Sequence, residues 1–118
     1  MIRKMVSADL EEVKRIEDRS FPKPWSKKQI IAEIEKGIAM VTGDKGVDGY
    51  LFARRILDEI EILNLAVDPG KRKQGVGKSL LMELLGFAGR ENVKKVFLEV
   101  RPSNQGALGL YNKLGFKR

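Results

Sequence analysis

The stretch DPGKRKQGVGKSLL, Asp68–Leu81, carries the residues most able to do chemistry. Gly75 and Gly77 bracket Val76 where a loop gives way to an apolar helical pattern, and Lys71, Arg72, Lys73 and Lys78 surround that point with positive charge. A helix N-terminus exposes N–H groups without intrahelical partners, and its aligned peptide dipoles add partial positive charge. The pattern therefore reads as a seat for phosphate or pyrophosphate, which glycines allow to approach closely. A merely solvated basic face is the plain alternative; its coincidence with the glycine spacing favours the anion. Two common anion loops do not fit. A G-x-x-x-x-G-K-[ST] loop ends as Gly77-Lys78-Ser79 does, but Arg72 stands where its first glycine belongs. A G-x-G-x-x-G loop begun at Gly75 ends on Leu80.

The remaining chemical inventory is narrow. With no cysteine and no histidine, the chain has no disulfide, thiol nucleophile, Cys/His zinc site or His-based triad, and proton transfer falls to Glu, Asp, Lys, Tyr or water. A net charge of +7 suits nucleic acid, an acidic protein surface or a polyanionic small ligand, and the position of the charge must decide. Nucleic acid ranks last, because no aromatic-rich RNA-binding strand pair, zinc ligand set or recognition helix is evident. The length of 118 residues suits one domain over 1–118, and 42% hydrophobic with 33% charged residues is a globular balance. No apolar run approaches a bilayer span, and Met1-Ile2-Arg3-Lys4-Met5 lacks the apolar core of a signal peptide, so a cytoplasmic location away from membranes is expected.

The elements that must position the loop follow from periodicity and punctuation. Ile2 to Val6 reads as a strand, and Ser7 or Asp9 can cap a helix with Leu10, Val13 and Ile16 on one face that ends near Ser20. Phe21-Pro22-Lys23-Pro24-Trp25 must be irregular; Ser26 with Gln29 then makes a capping box for a helix to about Lys36, stopped by Gly37. Ile38 to Thr42 and Val47 to Ile56 are strands joined by Gly43-Asp44-Lys45-Gly46, and Ile60 to Val67 is a third, with Ile60, Ile62 and Asn64 on one face. Leu80, Leu81, Leu84, Leu85 and Ala88 mark the helix after the loop, with Gly86 and Gly89 weakening its end. Val96 to Val100 is a strand, and a final helix capped by Ser103 or Asn104 carries Ala107, Leu110, Tyr111 and Leu114 to Gly115. The order β-α-α-β-β-β-α-β-α is α/β, with parallel strands expected on either side of the loop-bearing helix.

Arg72 to Gly77 matches R-x-x-G-x-G after a strand and before a long helix, and here the sequence resembles the GNAT superfamily of N-acetyltransferases, whose acetyl-coenzyme A loop has that form. NLAVDPGKRKQGVGKSLL, LEVRPSNQGALGLYNKLGF and FPKPWS together are similar to its ribosomal-protein-alanine N-acetyltransferase branch, in the same order over nearly the whole chain. The resemblance implies a central mixed, mostly antiparallel sheet flanked by helices, and a transferase using acetyl-coenzyme A without a metal. The acceptor it implies is the N-terminal α-amine of a protein, possibly a small-subunit ribosomal protein beginning in alanine. Other protein N-termini, lysines or small amines are the alternative acceptors, and a coenzyme A-binding module without turnover is the alternative outside enzymes. Members of the branch continue past the L-G-F element into further strands. The chain ending at Arg118 is accordingly expected to lack the last two, with an open sheet edge that would leave it monomeric or dimeric.

The same resemblance implies the site residues. Backbone groups of Leu65, Ala66 and Val67 would pair with the pantetheine arm, which would enter like an added strand where strands 60–67 and 96–100 splay. Arg72 with the amides of Lys73, Gln74, Gly75, Val76, Gly77 and Lys78 would hold the pyrophosphate, and Asn104 would contact coenzyme A. Glu99 falls on the glutamate proposed as general base, Tyr111 on the tyrosine that protonates the departing thiolate, and Trp25 in the segment walling the peptide entrance. These types suit the chemistry: an amine attacks only when neutral, and a thiolate leaves more readily when protonated. No covalent intermediate on the enzyme is required. Plain readings stand beside these. Tyr111 also lies on an apolar stripe, Glu99 is also an outward-facing position of an alternating strand with Glu59 and Glu61 as rival carboxylates, Asn104 is also a helix cap, and Trp25 also suits a loop anchor.

Overall fold

The structure, a computed structural model, describes residues 1–98. Five strands, β1 (Ile2–Lys4), β2 (Ile38–Thr42), β3 (Gly49–Ile56), β4 (Glu59–Val67) and β5 (Lys95–Leu98), form one sheet in sequential order. All neighbours are antiparallel except β4 and β5, which run parallel because helix α3 (Val76–Arg90) carries the chain back between them. Helices α1 (Leu10–Ser20) and α2 (Lys27–Lys36) precede β2. The expected mixed, mostly antiparallel α/β architecture is the one observed. The expected last helix, with Asn104 and Tyr111, lies outside the described residues, as does Glu99 at the end of the expected strand Val96–Val100.

Period-two alternation divides the apolar residues between two cores. Tyr50 and Phe52 of β3 join Val13, Ile16 and Ile30 on the α1/α2 side, whereas Leu51 and Ala53 join Leu80, Leu81, Leu84 and Ala88 of α3 on the other. Burying both sheet faces leaves the strand ends and their loops as the exposed places where a ligand can be met.

Several boundaries depart from local expectation for identifiable reasons. Strand β1 stops at Lys4 because the Val6 N–H donates to the Asp9 carboxylate, at 2.9 Å, rather than to a neighbouring strand. Asp9 makes no side-chain cap for α1; it is buried and receives a two-pronged ion pair from Arg3, at 2.6 and 2.8 Å. Ser26 and Gln29 form the expected capping box, with bonds of 3.1 and 2.8 Å. Gly37 ends α2 in extended backbone rather than a left-handed cap, and a Cβ there would lie 2.8 Å from the Ala53 carbonyl oxygen. Helix α3 runs past Gly86 and Gly89 to Arg90 and is closed by Asn92 at φ 56°, with Val93 N–H donating to Ala88 O at 2.9 Å.

The strand reading fails at one informative place. Phe52 pairs with Asn64 but Ala53 with Ile62, so Leu63 is an extra residue in a β-bulge. Ile60 and Ile62 face α3, whereas Asn64, expected on their face, is turned to α1, where it meets Glu17.

The Arg3–Asp9 pair carries a pH signature. The Arg3 guanidinium, hydrogen-bonded to it, holds the Asp9 carboxyl below its ordinary 3.8, assisted by the Val6 N–H and opposed by burial. A depressed folded pKa contributes stability that is present above the unfolded value and disappears as pH falls through the folded one. Asp9→Asn is therefore expected to cost about 1 kcal/mol at pH 7, discounted because Arg3 is half-exposed, and the gap should narrow once pH falls below the carboxyl's ordinary 3.8 and close on further acidification; urea midpoints across pH measure it.

Candidate active site

The glycine loop begins where β4 ends. Asp68 N–H donates to Asp48 O at 2.7 Å, which ties the loop's base to the approach of β3, and the Asp68 carboxylate accepts from Gly70 N–H at 3.0 Å. A single 3-10 turn, Pro69–Lys71, follows, closed by Lys71 N–H to Asp68 O at 2.8 Å. Arg72 then folds back over its own loop. Its Nε donates to Val67 O at 3.2 Å, and its terminal nitrogen reaches Ser20 Oγ of α1 at 3.4 Å.

Beyond Arg72 the backbone twice enters the left-handed region, at Lys73 with φ 64° and at Gly75 with φ 81°. That conformation costs a non-glycine residue about 1–2 kcal/mol, so Lys73 holds it only because its surroundings impose it. Successive turns of this hand point N–H groups into one concavity. Among the described residues no backbone carbonyl accepts from the amides of 72–78; the first bond of the helix is Ser79 N–H to Gly75 O at 2.9 Å. Among the described residues nothing lies within 4 Å of the position a Gly75 Cβ would take, so none of them fills the concavity on that side. Gly49 seats the helix against the sheet, since a Cβ there would lie 2.8 Å from Val76 Cγ1.

Lys71, Arg72, Lys73, Gln74, Gly75 and Lys78 are exposed, Val76 is half-buried and Gly77 is buried as α3 enters its core. Open amides, a helix dipole, four cations and space beside Gly75 are the donor set a pyrophosphate needs, so the residues present fit a nucleotide-like cofactor. Leu65, Ala66 and Val67 lead straight into this loop, bonded on one side to Leu51, Tyr50 and Gly49. The described β4–β5 pairing ends at Ile62 and Leu98, and the expected splay past it lies outside the described residues. Glu59 and Glu61 stand at the start of β4, the end remote from the glycine loop.

Trp25 is half-buried, its ring 5.2 Å from that of Phe52, and its N–H donates to Glu17 at 2.8 Å. Glu17 is the residue that reading the letters passed over. It is fully buried, and among the described residues its carboxylate accepts from the Trp25 backbone N–H, from Tyr50 Oη at 2.7 Å and from Asn64 Nδ2 at 2.7 Å. The signal was present, because Glu17 lies four residues after Val13 on the apolar face of α1, where a charge requires partners. Among the described residues no group of three acidic side chains is placed to hold a metal, and no helix is long and apolar enough to cross a membrane.

Residues 10–116 match the model of the acetyltransferase (GNAT) family. The [ribosomal protein bS18]-alanine N-acetyltransferase of Escherichia coli K12 is 32% identical over 117 residues, which cover 98% of this chain and 79% of that protein. The crystal structure of the Escherichia coli ribosomal-protein-S18-alanine N-acetyltransferase superimposes with a TM-score of 0.88 at 33% identity, covering 99% of this chain and 77% of that one. That of Ard1 from Thermoplasma volcanium gives 0.89 at 31% identity, covering 99% and 82%. The matched residues take in nearly the whole chain, and the chain belongs to the acetyltransferase (GNAT) family of N-acetyltransferases.

Proposed function

We propose that this N-acetyltransferase takes its acetyl group from acetyl-coenzyme A and delivers it to the N-terminal α-amine of a protein, with ribosomal protein bS18 beginning in alanine as the acceptor. The observation that carries the cofactor is the run of open amides at 72–78 set among Lys71, Arg72, Lys73 and Lys78. Support for the acceptor comes from the 32% identity to an enzyme named for that substrate.

The residues divide the work. Amides from Lys73 to Lys78 and the Arg72 loop hold the pyrophosphate at the mouth of α3, and the backbone of Leu65, Ala66 and Val67 aligns the pantetheine arm. Bound acetyl-coenzyme A supplies a thioester, an acyl group already activated toward amines. Asn104 contacts the cofactor. The Glu99 carboxylate takes a proton from the acceptor amine, directly or through water, so that a neutral nitrogen is presented. Tyr111 Oη gives its proton to the departing sulfur. Trp25 and its loop wall the acceptor's path. Transfer is direct, in keeping with a chain that has no cysteine or histidine. A cytoplasmic setting, where ribosomal proteins and acetyl-coenzyme A are both present, completes the reading.

A peptide panel tests the acceptor. Peptides beginning in alanine, serine or methionine, and one with a blocked N-terminus and a free lysine, are incubated with the chain and acetyl-coenzyme A, and the acetylated position is read by mass spectrometry. The expected result is transfer to the α-amine of the alanine peptide at least about tenfold faster than to the others, a discrimination of about 1.4 kcal/mol. Acetylated lysine with untouched α-amines would move the enzyme to another acceptor class.

A further inference from the structure

The buried Glu17 carboxylate joins four separate segments. It belongs to α1; Trp25 N–H comes from the loop between α1 and α2, Tyr50 Oη from β3, and Asn64 Nδ2 from the bulge of β4. Each of these three described neighbours donates to the carboxylate, and the Asn64 amide is fixed with its nitrogen toward α1 because only that end can donate. Oε1 takes both Tyr50 and Asn64, leaving Oε2 for the loop.

We propose that Glu17 is a positioning residue for acetyl transfer: it registers the loop Phe21–Ser26, which borders the acceptor, against the bulged strand that aligns the cofactor. The inference rests on the acceptor role given to that loop under the proposed function. Two physical points carry it. The loop contains Pro22 and Pro24, and the Glu17 bond supplies Trp25 with a backbone partner in place of a ladder. At the other end, the bulge turns Asn64 toward α1 while Leu65 faces α3 and Ala66 returns to the α1 side, so the carboxylate grips β4 next to the residues that lead into the glycine loop. A displacement of either partner would change the spacing between amine and thioester, and a misplacement of about 1 Å can cost about a hundredfold in rate.

Glu17→Gln keeps the volume and one acceptor but places an amide NH2 against either the Trp25 N–H or the Tyr50–Asn64 pair. The expected result is a folded protein whose Kd for acetyl-coenzyme A stays within about threefold, while kcat/KM for the alanine peptide falls at least about tenfold, mainly through a lowered kcat. Trp25 is the sole tryptophan of the chain, so its emission reports the loop without any turnover. A red shift and stronger acrylamide quenching are expected in the variant at a temperature where it is fully folded. If Glu17→Gln does not fold, Asn64→Ala, which removes only the strand end of the link, is expected to show the same split between cofactor and peptide. Unchanged Trp25 emission, or peptide and cofactor parameters falling together in proportion to the folded fraction, would overturn the positioning role. Because the emission readout is independent of acetylation, a wild-type chain that does not acetylate the peptide would count against the acceptor reading and leave the link itself decided by Trp25.

Discussion

Gly75→Glu weakens acetyl-coenzyme A binding by about 30- to 100-fold in calorimetric titration, with a urea midpoint close to that of the wild type. The expectation combines two effects. A side chain at φ 81° pays a left-handed penalty of about 1–2 kcal/mol, which the loop relieves by moving its amides out of register. A carboxylate then extends into the open space beside Gly75 and meets the phosphates with like charge. Together these amount to about 2–3 kcal/mol, which is the stated range of affinity. Gly75→Gln separates the parts: it has the bulk and the strain without the charge, and should lose about tenfold less. Equal losses for Glu and Gln would mean that the space beside Gly75 does not receive an anion.

Tyr111→Phe should lower kcat by about a hundredfold while leaving Kd for acetyl-coenzyme A within about twofold, the size expected when a general acid is removed. Phenylalanine retains the ring, so if Tyr111 served only in apolar packing the substitution would leave turnover nearly intact. Single-turnover acetylation of the alanine peptide distinguishes these outcomes, because a slow product-release step would otherwise hide the chemical one. Undiminished single-turnover rates would take Tyr111 out of the acid role.

What the letters disclosed and what they withheld divide along physical lines. Local signals were legible: the Ser26–Gln29 capping box, the strand Ile38–Thr42 and the start of α3 behind Gly75 all stand where punctuation and periodicity put them. Each depends on residues within a few positions of one another. The bulge at Leu63 was not legible, because it is fixed by how β4 registers on Phe52 and Ala53, and one shifted residue sends Asn64 to the opposite face. Gly37 was read as a helix stop, but the need for glycine there comes from the Ala53 carbonyl of another strand. Asp9 was read as a cap, whereas Arg3, six residues back, outcompetes the helix for its carboxylate.

The site divides in the same way. The glycine loop announces itself through closely spaced glycines and cations, so its place before α3 was readable, but the left-handed turn at Lys73 was not, since lysine carries no preference for it. Glu17 was hidden for a different reason. Its partners at positions 25, 50 and 64 are brought together only by folding α1 across β3 and β4. A charged residue on an apolar helix face shows that partners must exist; only the fold says which they are.

Whether the mouth of α3 receives coenzyme A is decided by a calorimetric titration of the chain with acetyl-coenzyme A, with desulfo-coenzyme A and ATP as comparison ligands. One-to-one binding is predicted for both coenzyme A forms, at least about tenfold tighter than for ATP, because β4 aligns the pantetheine arm as well as the phosphates being held. Folded protein that binds none of the three, or that binds ATP as tightly as acetyl-coenzyme A, would contradict it.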